Sequence, residues 1–197
     1  MNILITICAR GGSKGIPGKN IKPINNKPLL HYTLETAYKF SKKFDCDIQL
    51  STDSKEILDC AKLLNYNTDY IRPDYLATDN AGKIDVIREA WKYTENQNKK
   101  RYDIVLDMDV TSPLRATEDL EEGLNKLLLN KEALNLFSVN NASRNPYFNM
   151  VEENKNGFVS LVKDAGTYKS RQEVPKVYDM NASFYFYKRK FMESEFE

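Results

Sequence analysis

A doubly wound, mostly parallel, Rossmann-like α/β sheet is the fold class that this 197-residue chain predicts. An apolar strand at the N-terminus runs straight into a glycine-rich loop, and apolar strands then alternate with amphipathic helices. A second strongly apolar strand ends in acidic residues.

Asn2 to Cys8 (N-I-L-I-T-I-C) reads as a short buried strand. Ala9-Arg10-Gly11-Gly12-Ser13-Lys14-Gly15-Ile16-Pro17-Gly18-Lys19-Asn20 follows, and its glycines let backbone N–H groups approach an anion without Cβ interference. Arg10, Lys14 and Lys19 lie within ten residues and repel one another unless an anion or an acidic partner compensates. Together these features point to a nucleoside triphosphate. A Walker A frame fails, because the stretch ending at Gly18-Lys19 begins at Ser13 and continues to Asn20 rather than Ser or Thr. The spacing of glycines 11, 12, 15 and 18 fails the dinucleotide fingerprint as well.

Pro28 to Phe40 has the apolar spacing of an amphipathic helix, and Asp47 to Ser51 reads as the next strand. Asp53-Ser54-Lys55-Glu56 reads as a capping box opening a helix that runs to Leu64. Ile84, Ile87, Ala90 and Trp91 mark another helix face, and Tyr102 to Val110 a strand. Thr117 is the expected cap of a helix that carries Glu118 and Asp119 in its first turn. His31, in a helix start, reads as packing, as do Cys8 and the alternating run Phe184-Tyr185-Phe186-Tyr187.

The chain is one domain's worth, residues 1–197, and its 41% hydrophobic content supports a real core. A net charge of +1 argues against nucleic acid or an anionic membrane as a bulk partner. No apolar run approaches the roughly 18 residues of a membrane span, and the first strand is too short for a signal-peptide core. Cys8, Cys46 and Cys60 show no CxxC spacing, so disulfides and zinc are not expected, and a reducing cytoplasm is the simplest location. Residues 140–175 break the strand–helix rhythm with polar turns, Pro146, Gly157 and Gly166, and read as an insertion or a plain surface excursion.

Asp107 and Asp109 point to one face near the carboxyl end of their strand, where open α/β sheets bind ligands. Two carboxylates there call for a divalent cation or a basic loop as compensation. For Asp107, retention by backbone N–H groups of a neighbouring turn is an equally open reading.

The loop resembles the ARGGSKGIPxKN signature of the acylneuraminate cytidylyltransferases, the CMP-sialic acid synthetases. Three further segments agree in order: Arg72-Pro73-Asp74-Tyr75-Leu76-Ala77-Thr78-Asp79 resembles RPxxLAxD, Thr111-Ser112-Pro113-Leu114-Arg115 matches TSPLR, and Arg171-Gln172-Glu173-Val174-Pro175 resembles RQxxP. The resemblance implies transfer of CMP from CTP to an acidic nine-carbon sugar, with release of pyrophosphate and with Mg²⁺ or Mn²⁺ as cofactor. Arg10 and Lys19 would neutralise the departing phosphates, and Asn20, with Ala9, Gly11, Gly12 and Ser13, would border them. Asp109, with Asp107, would hold the metal. Arg72, Ala77 and Asp79 would border the cytosine, Ser112 and Arg115 would lie near the nucleotide, and Arg144, Arg171 and Gln172 would meet the sugar carboxylate. Residues 140–175 would be a dimerisation arm, which makes a homodimer the expected state.

Asp109-Val110 stands where the family usually has Gln-Pro, and Tyr178-Asp179-Met180-Asn181-Ala182 where it usually has RPNGA. These departures favour legionaminic or pseudaminic acid over sialic acid as the sugar. Glu197 precedes the DIDxxxD segment whose aspartates bind magnesium in the family, so the expectation for these residues is CTP binding and dimerisation with poor turnover. Two alternatives follow: a Kdo-type nucleotidyltransferase, against which TSPLR and RPxxLAxD argue, and a non-catalytic nucleotide-binding protein.

Overall fold

The structure is a computed structural model, and the residues described are 1–163, 166, 168, 170 and 172–195. In chain order the elements are β1 (Ile3–Cys8), β2 (Pro23–Ile24), β3 (Lys27–Pro28), α1 (Leu29–Phe44), β4 (Asp47–Ser51), α2 (Lys55–Lys62), α3 (Lys83–Asn98), β5 (Ile104–Met108), α4 (Thr117–Leu129), β6 (Asn135–Asn141), β7 (Val151–Glu153), β8 (Val159–Leu161), β9 (Tyr178–Lys188) and α5 (Arg189–Met192). Residues 1–138, with those from 182 onward, form one compact unit, and Val139–Asn181 forms a second.

The first unit is built on a five-stranded sheet of order β4-β1-β5-β9-β6. β1 pairs in parallel with both β4 and β5, and β9 joins antiparallel to β5, so the sheet is mixed and mostly parallel at its centre. Side chains alternate across it. Ile3, Ile5 and Ile7 pack on one face with Leu30, Leu34 and Phe40 of α1 and Leu120, Leu124 and Leu127 of α4. Leu4 and Val105 pack on the other with Ile87 and Trp91 of α3 and Phe191 and Met192 of α5. β9 obeys the same rule, sending Phe184 and Phe186 to the first face and Tyr185 and Tyr187 to the second.

Two predicted caps fall elsewhere. Ser54, not Asp53, caps α2, its hydroxyl accepting from the N–H of Ile57 at 3.4 Å, because the Asp53 carboxylate is engaged by the glycine loop. Ala116, not Thr117, precedes α4, and its N–H donates to the Asp119 carboxylate at 3.2 Å. His31 is buried as expected, its Nε2 lying 2.8 Å from the carbonyl of Cys60.

In the second unit, β7 and β8 form an antiparallel hairpin turning through Asn154 to Phe158. The Asn154 side-chain oxygen accepts from the N–H groups of Asn156 and Phe158, and Gly157 at φ +80 supplies the left-handed backbone of the turn.

Candidate functional site

β1 delivers the chain to the carboxyl edge of the sheet, where side chain and backbone together hold the glycine loop. Ala9 is buried and its N–H donates to the Ser51 carbonyl at 2.9 Å. The N–H of Gly11 donates to Asp53 Oδ1 at 2.8 Å, and a Cβ added there would lie 2.9 Å from the Cβ of Ser54. Only glycine lets the loop pass so close to the start of α2. Asn20 is buried, and its amide donates to the Arg10 carbonyl at 2.8 Å, tying the far end of the loop to its beginning. Gly18, at φ +62, turns the chain into the short 3₁₀ helix Lys19–Ile21. The N–H of Ser13 donates to the Gly11 carbonyl, so the loop spends the N–H groups of Gly11 and Ser13 on its own shape.

Beyond the ends of β1 and β5 lies an open cavity of about 580 Å³. Cys8, Arg10, Ser13, Lys14, Gly15, Ile16, Lys19 and Asn20 line one side, and Asp109 and Thr111 the other. The cationic side chains of the loop thus share one cavity with the carboxylate after β5. Asp79 answers part of the loop's charge, pairing with Arg10 Nη2 at 2.6 Å and also with Lys14. These two hydrogen-bonded cations, Lys14 foremost, hold the Asp79 carboxyl below the usual carboxylate range. The Cys8 thiol is pushed well above its ordinary value by burial and by nearby Asp107, which disfavours the thiolate.

The carboxylate pair is compensated by a residue that sequence reasoning missed. Asp107 is fully buried, opposite Thr6 in the β1–β5 pairing, and the Thr6 hydroxyl donates to its Oδ1 at 3.0 Å. The ammonium of Lys83, at the start of α3, lies 2.8 Å from Asp107 Oδ2 and 3.5 Å from Asp109 Oδ2. Burial alone would lower the pKa of Lys83, but the two aspartates outweigh it and raise it above the ordinary lysine value. Asp109 Oδ1 accepts from both the N–H and the hydroxyl of Thr111, at 2.8 and 2.6 Å. Burial would push the Asp109 carboxyl up, yet Thr111 and Lys83 reverse this and hold it below the usual range.

Arg115 is buried too, donating from Nη2 to the Asp109 carbonyl at 2.6 Å and from Nε to the Ser183 hydroxyl at 3.2 Å, so it braces the turn after β5. Burial pushes its guanidinium down to about 10, against the pull of Asp109 and Asp107. Arg72 lies under the sheet edge, donating from Nε to the Ser51 hydroxyl at 3.0 Å and from Nη2 to the Ser51 carbonyl at 2.7 Å. It is buried and does not line the cavity. Ala77 closes the 3₁₀ turn Asp74–Leu76, and Ser112 follows Thr111 in the turn after β5. Gly12 has open space around it. Arg144 and Gln172 line a separate cleft of about 560 Å³ within the second unit, and Arg171 lies outside the described residues.

A magnesium ion bound with a nucleotide usually takes one or two protein carboxylates and fills its octahedron with phosphate oxygens and water. Asp109 fits that demand: it lines the cavity, and the Lys83 ammonium stands 3.5 Å from its Oδ2. Asp107 does not, because it is wholly buried and already neutralised. Among the described residues no group of three or more His, Cys, Asp and Glu side chains gathers at one point.

Comparison with known proteins agrees with this geometry. Residues 4–197 match the family model described as Cytidylyltransferase. "Post-translational flagellin modification protein B" of Campylobacter coli is 42% identical over 96% of this chain and 79% of its own length. The "CMP-N,N'-diacetyllegionaminic acid synthase" of Campylobacter jejuni is 39% identical over the same shares, and its "Pseudaminic acid cytidylyltransferase" is 34% identical over 94% of this chain and 78% of its own length. Among solved structures, a CMP:2-keto-3-deoxy-manno-octonic acid synthetase complexed with CTP superposes with a TM-score of 0.68 over 98% of this chain and 76% of that one; at 19% identity the likeness shows the fold alone. With its glycine-loop cavity at the carboxyl ends of β1 and β5, the chain belongs to the cytidylyltransferase family and is a nucleotidyltransferase.

Proposed function

We propose that this protein joins CTP to a nonulosonic acid of the legionaminic or pseudaminic kind, giving the CMP-sugar and pyrophosphate. The observation that carries the proposal is the cavity itself, with Arg10, Lys14 and Lys19 on one wall and Asp109 on the other. Triphosphate and metal demand this division of charge. The names of the Campylobacter relatives supply the sugar class.

In this mechanism the anomeric hydroxyl attacks the α-phosphate in line, and pyrophosphate leaves. Such chemistry is mostly positioning and charge neutralisation. Arg10 and Lys19 hold the phosphates that depart, and Asn20 keeps Arg10 in place through its backbone carbonyl. Asp109 is the residue that would hold Mg²⁺, and the ion, when bound, would supply charge neutralisation at the phosphates and acidify the attacking hydroxyl. Arg144 and Gln172 are assigned to the sugar carboxylate, residues 140–175 to the arm of a homodimer, and the enzyme to the cytoplasm. No helix among the described residues is long and apolar enough to cross a membrane.

Calorimetry with CTP and CMP tests the placement of the phosphates. Arg10→Ala and Lys19→Ala are each expected to weaken CTP by roughly ten- to a hundredfold, since a hydrogen bond to a charged group contributes about 1.5–3 kcal/mol. The loss for CMP should be much smaller. Equal losses for both nucleotides would move these residues away from the departing phosphates.

A further inference from the structure

Lys83 is the first residue of α3, where the helix dipole favours anions over cations. A lysine at that position needs a compensating charge, and the sheet provides two. Asp107 and Asp109 take its ammonium at 2.8 and 3.5 Å. Tyr185, directly opposite Asp107 in the β5–β9 pairing, sets its ring 4.8 Å from the same nitrogen. Helix, central strand and antiparallel strand thus converge on one cation held behind the wall of the cavity.

We propose that Lys83 is a positioning residue for the transfer reaction. Its ammonium cancels one of the two aspartate charges and braces the Oδ2 side of Asp109 while Thr111 braces the Oδ1 side. The carboxylate pair therefore presents one net negative charge, and a divalent cation is held there only together with nucleotide phosphates. This inference rests on the assignment of Asp109 as the metal-facing carboxylate.

Mn²⁺ binding to the full chain, followed by electron paramagnetic resonance with and without saturating CTP, tests it. Four proteins vary the local charge in single steps: wild type, Lys83→Met, Asp107→Asn, and the double variant. Unit charges a few ångströms apart interact strongly enough that each step should change Mn²⁺ affinity by about tenfold or more. Lys83→Met should bind tightest and do so without CTP, wild type and the double variant should be similar, and Asp107→Asn should be weakest. Affinities that stay flat across the folded variants overturn the proposal. Should Lys83→Met fail to fold with Asp107 unpaired, the comparison of Asp107→Asn with the double variant decides by the same rule. Asp109→Asn separates two kinds of failure. If it leaves Mn²⁺ affinity in the presence of CTP unmoved, the metal role of Asp109 falls and the proposal with it. If it abolishes Mn²⁺ binding while the other series is flat, the role of Lys83 alone falls.

Discussion

Arginines in this chain take their roles from what surrounds them. Arg10 is partly exposed and shares Asp79 with Lys14, an arrangement in water that a polyphosphate can displace. Arg72 belongs to the same stretch of sequence as Asp79, yet its guanidinium is buried against Ser51, and its backbone N–H donates to Thr52 at 2.9 Å. We therefore expect Arg72→Met to cost about 2–3 kcal/mol, since two hydrogen bonds from a buried guanidinium are lost while the Ser51 carbonyl keeps only the Ala9 N–H. That corresponds to roughly 4–12 °C in melting temperature for a protein of this size. CTP affinity measured below the transition should barely change. A loss of CTP affinity at unchanged melting temperature would instead support the cytosine contact that the sequence resemblance implies. The loop cations and the aspartate pair were legible in the chain because they are close neighbours in sequence. Lys83 was not, since its partners lie 24 and 26 positions away and only the β1–β5 register buries Asp107. The available signal was a lysine at a helix start.

Elements with a strong apolar period were read to within a few residues, as for β4, whose observed bounds are Asp47–Ser51. The caps of α2 and α4 were each misplaced by one residue, and in α2 the cause is tertiary: Asp53 is drawn away to the N–H of Gly11. The β2–β3 hairpin went unread, although Asn25 and Asn26 carry the positive φ values, 49 and 60, of a two-residue turn. In the β7–β8 hairpin, Phe158 is 72% and Val159 63% exposed in the single chain. Adjacent apolar side chains this exposed are suited to a partner surface, and the proposed homodimer would cover them. Sedimentation velocity should show a dimer for the wild type and a monomer for Phe158→Asp/Val159→Asp, with unchanged far-ultraviolet circular dichroism. A wild-type monomer at micromolar concentration would contradict the arm.

At the scale of the whole chain, sheet class and family were legible because strand–helix alternation and the glycine loop are local in sequence. The division into two compact units was not legible: the chain reads as one domain, 1–197, with residues 140–175 off the strand–helix rhythm, and strands β6 and β9 run through the boundaries of the second unit, Val139–Asn181. The sugar is the choice that reaches furthest, because it rests on Asp109 replacing a neutral residue and on the kinship with the Campylobacter enzymes. Pyrophosphate release is the most direct measurement: the purified chain with Mg²⁺, each of CTP, UTP, ATP and GTP, and a panel of legionaminic, pseudaminic, sialic and eight-carbon Kdo acids. Release should require CTP and be fastest with a legionaminic- or pseudaminic-type acid, and slow or absent with Kdo. Release with Kdo alone, or CTP binding without release from any acid in the panel, would contradict the proposed function.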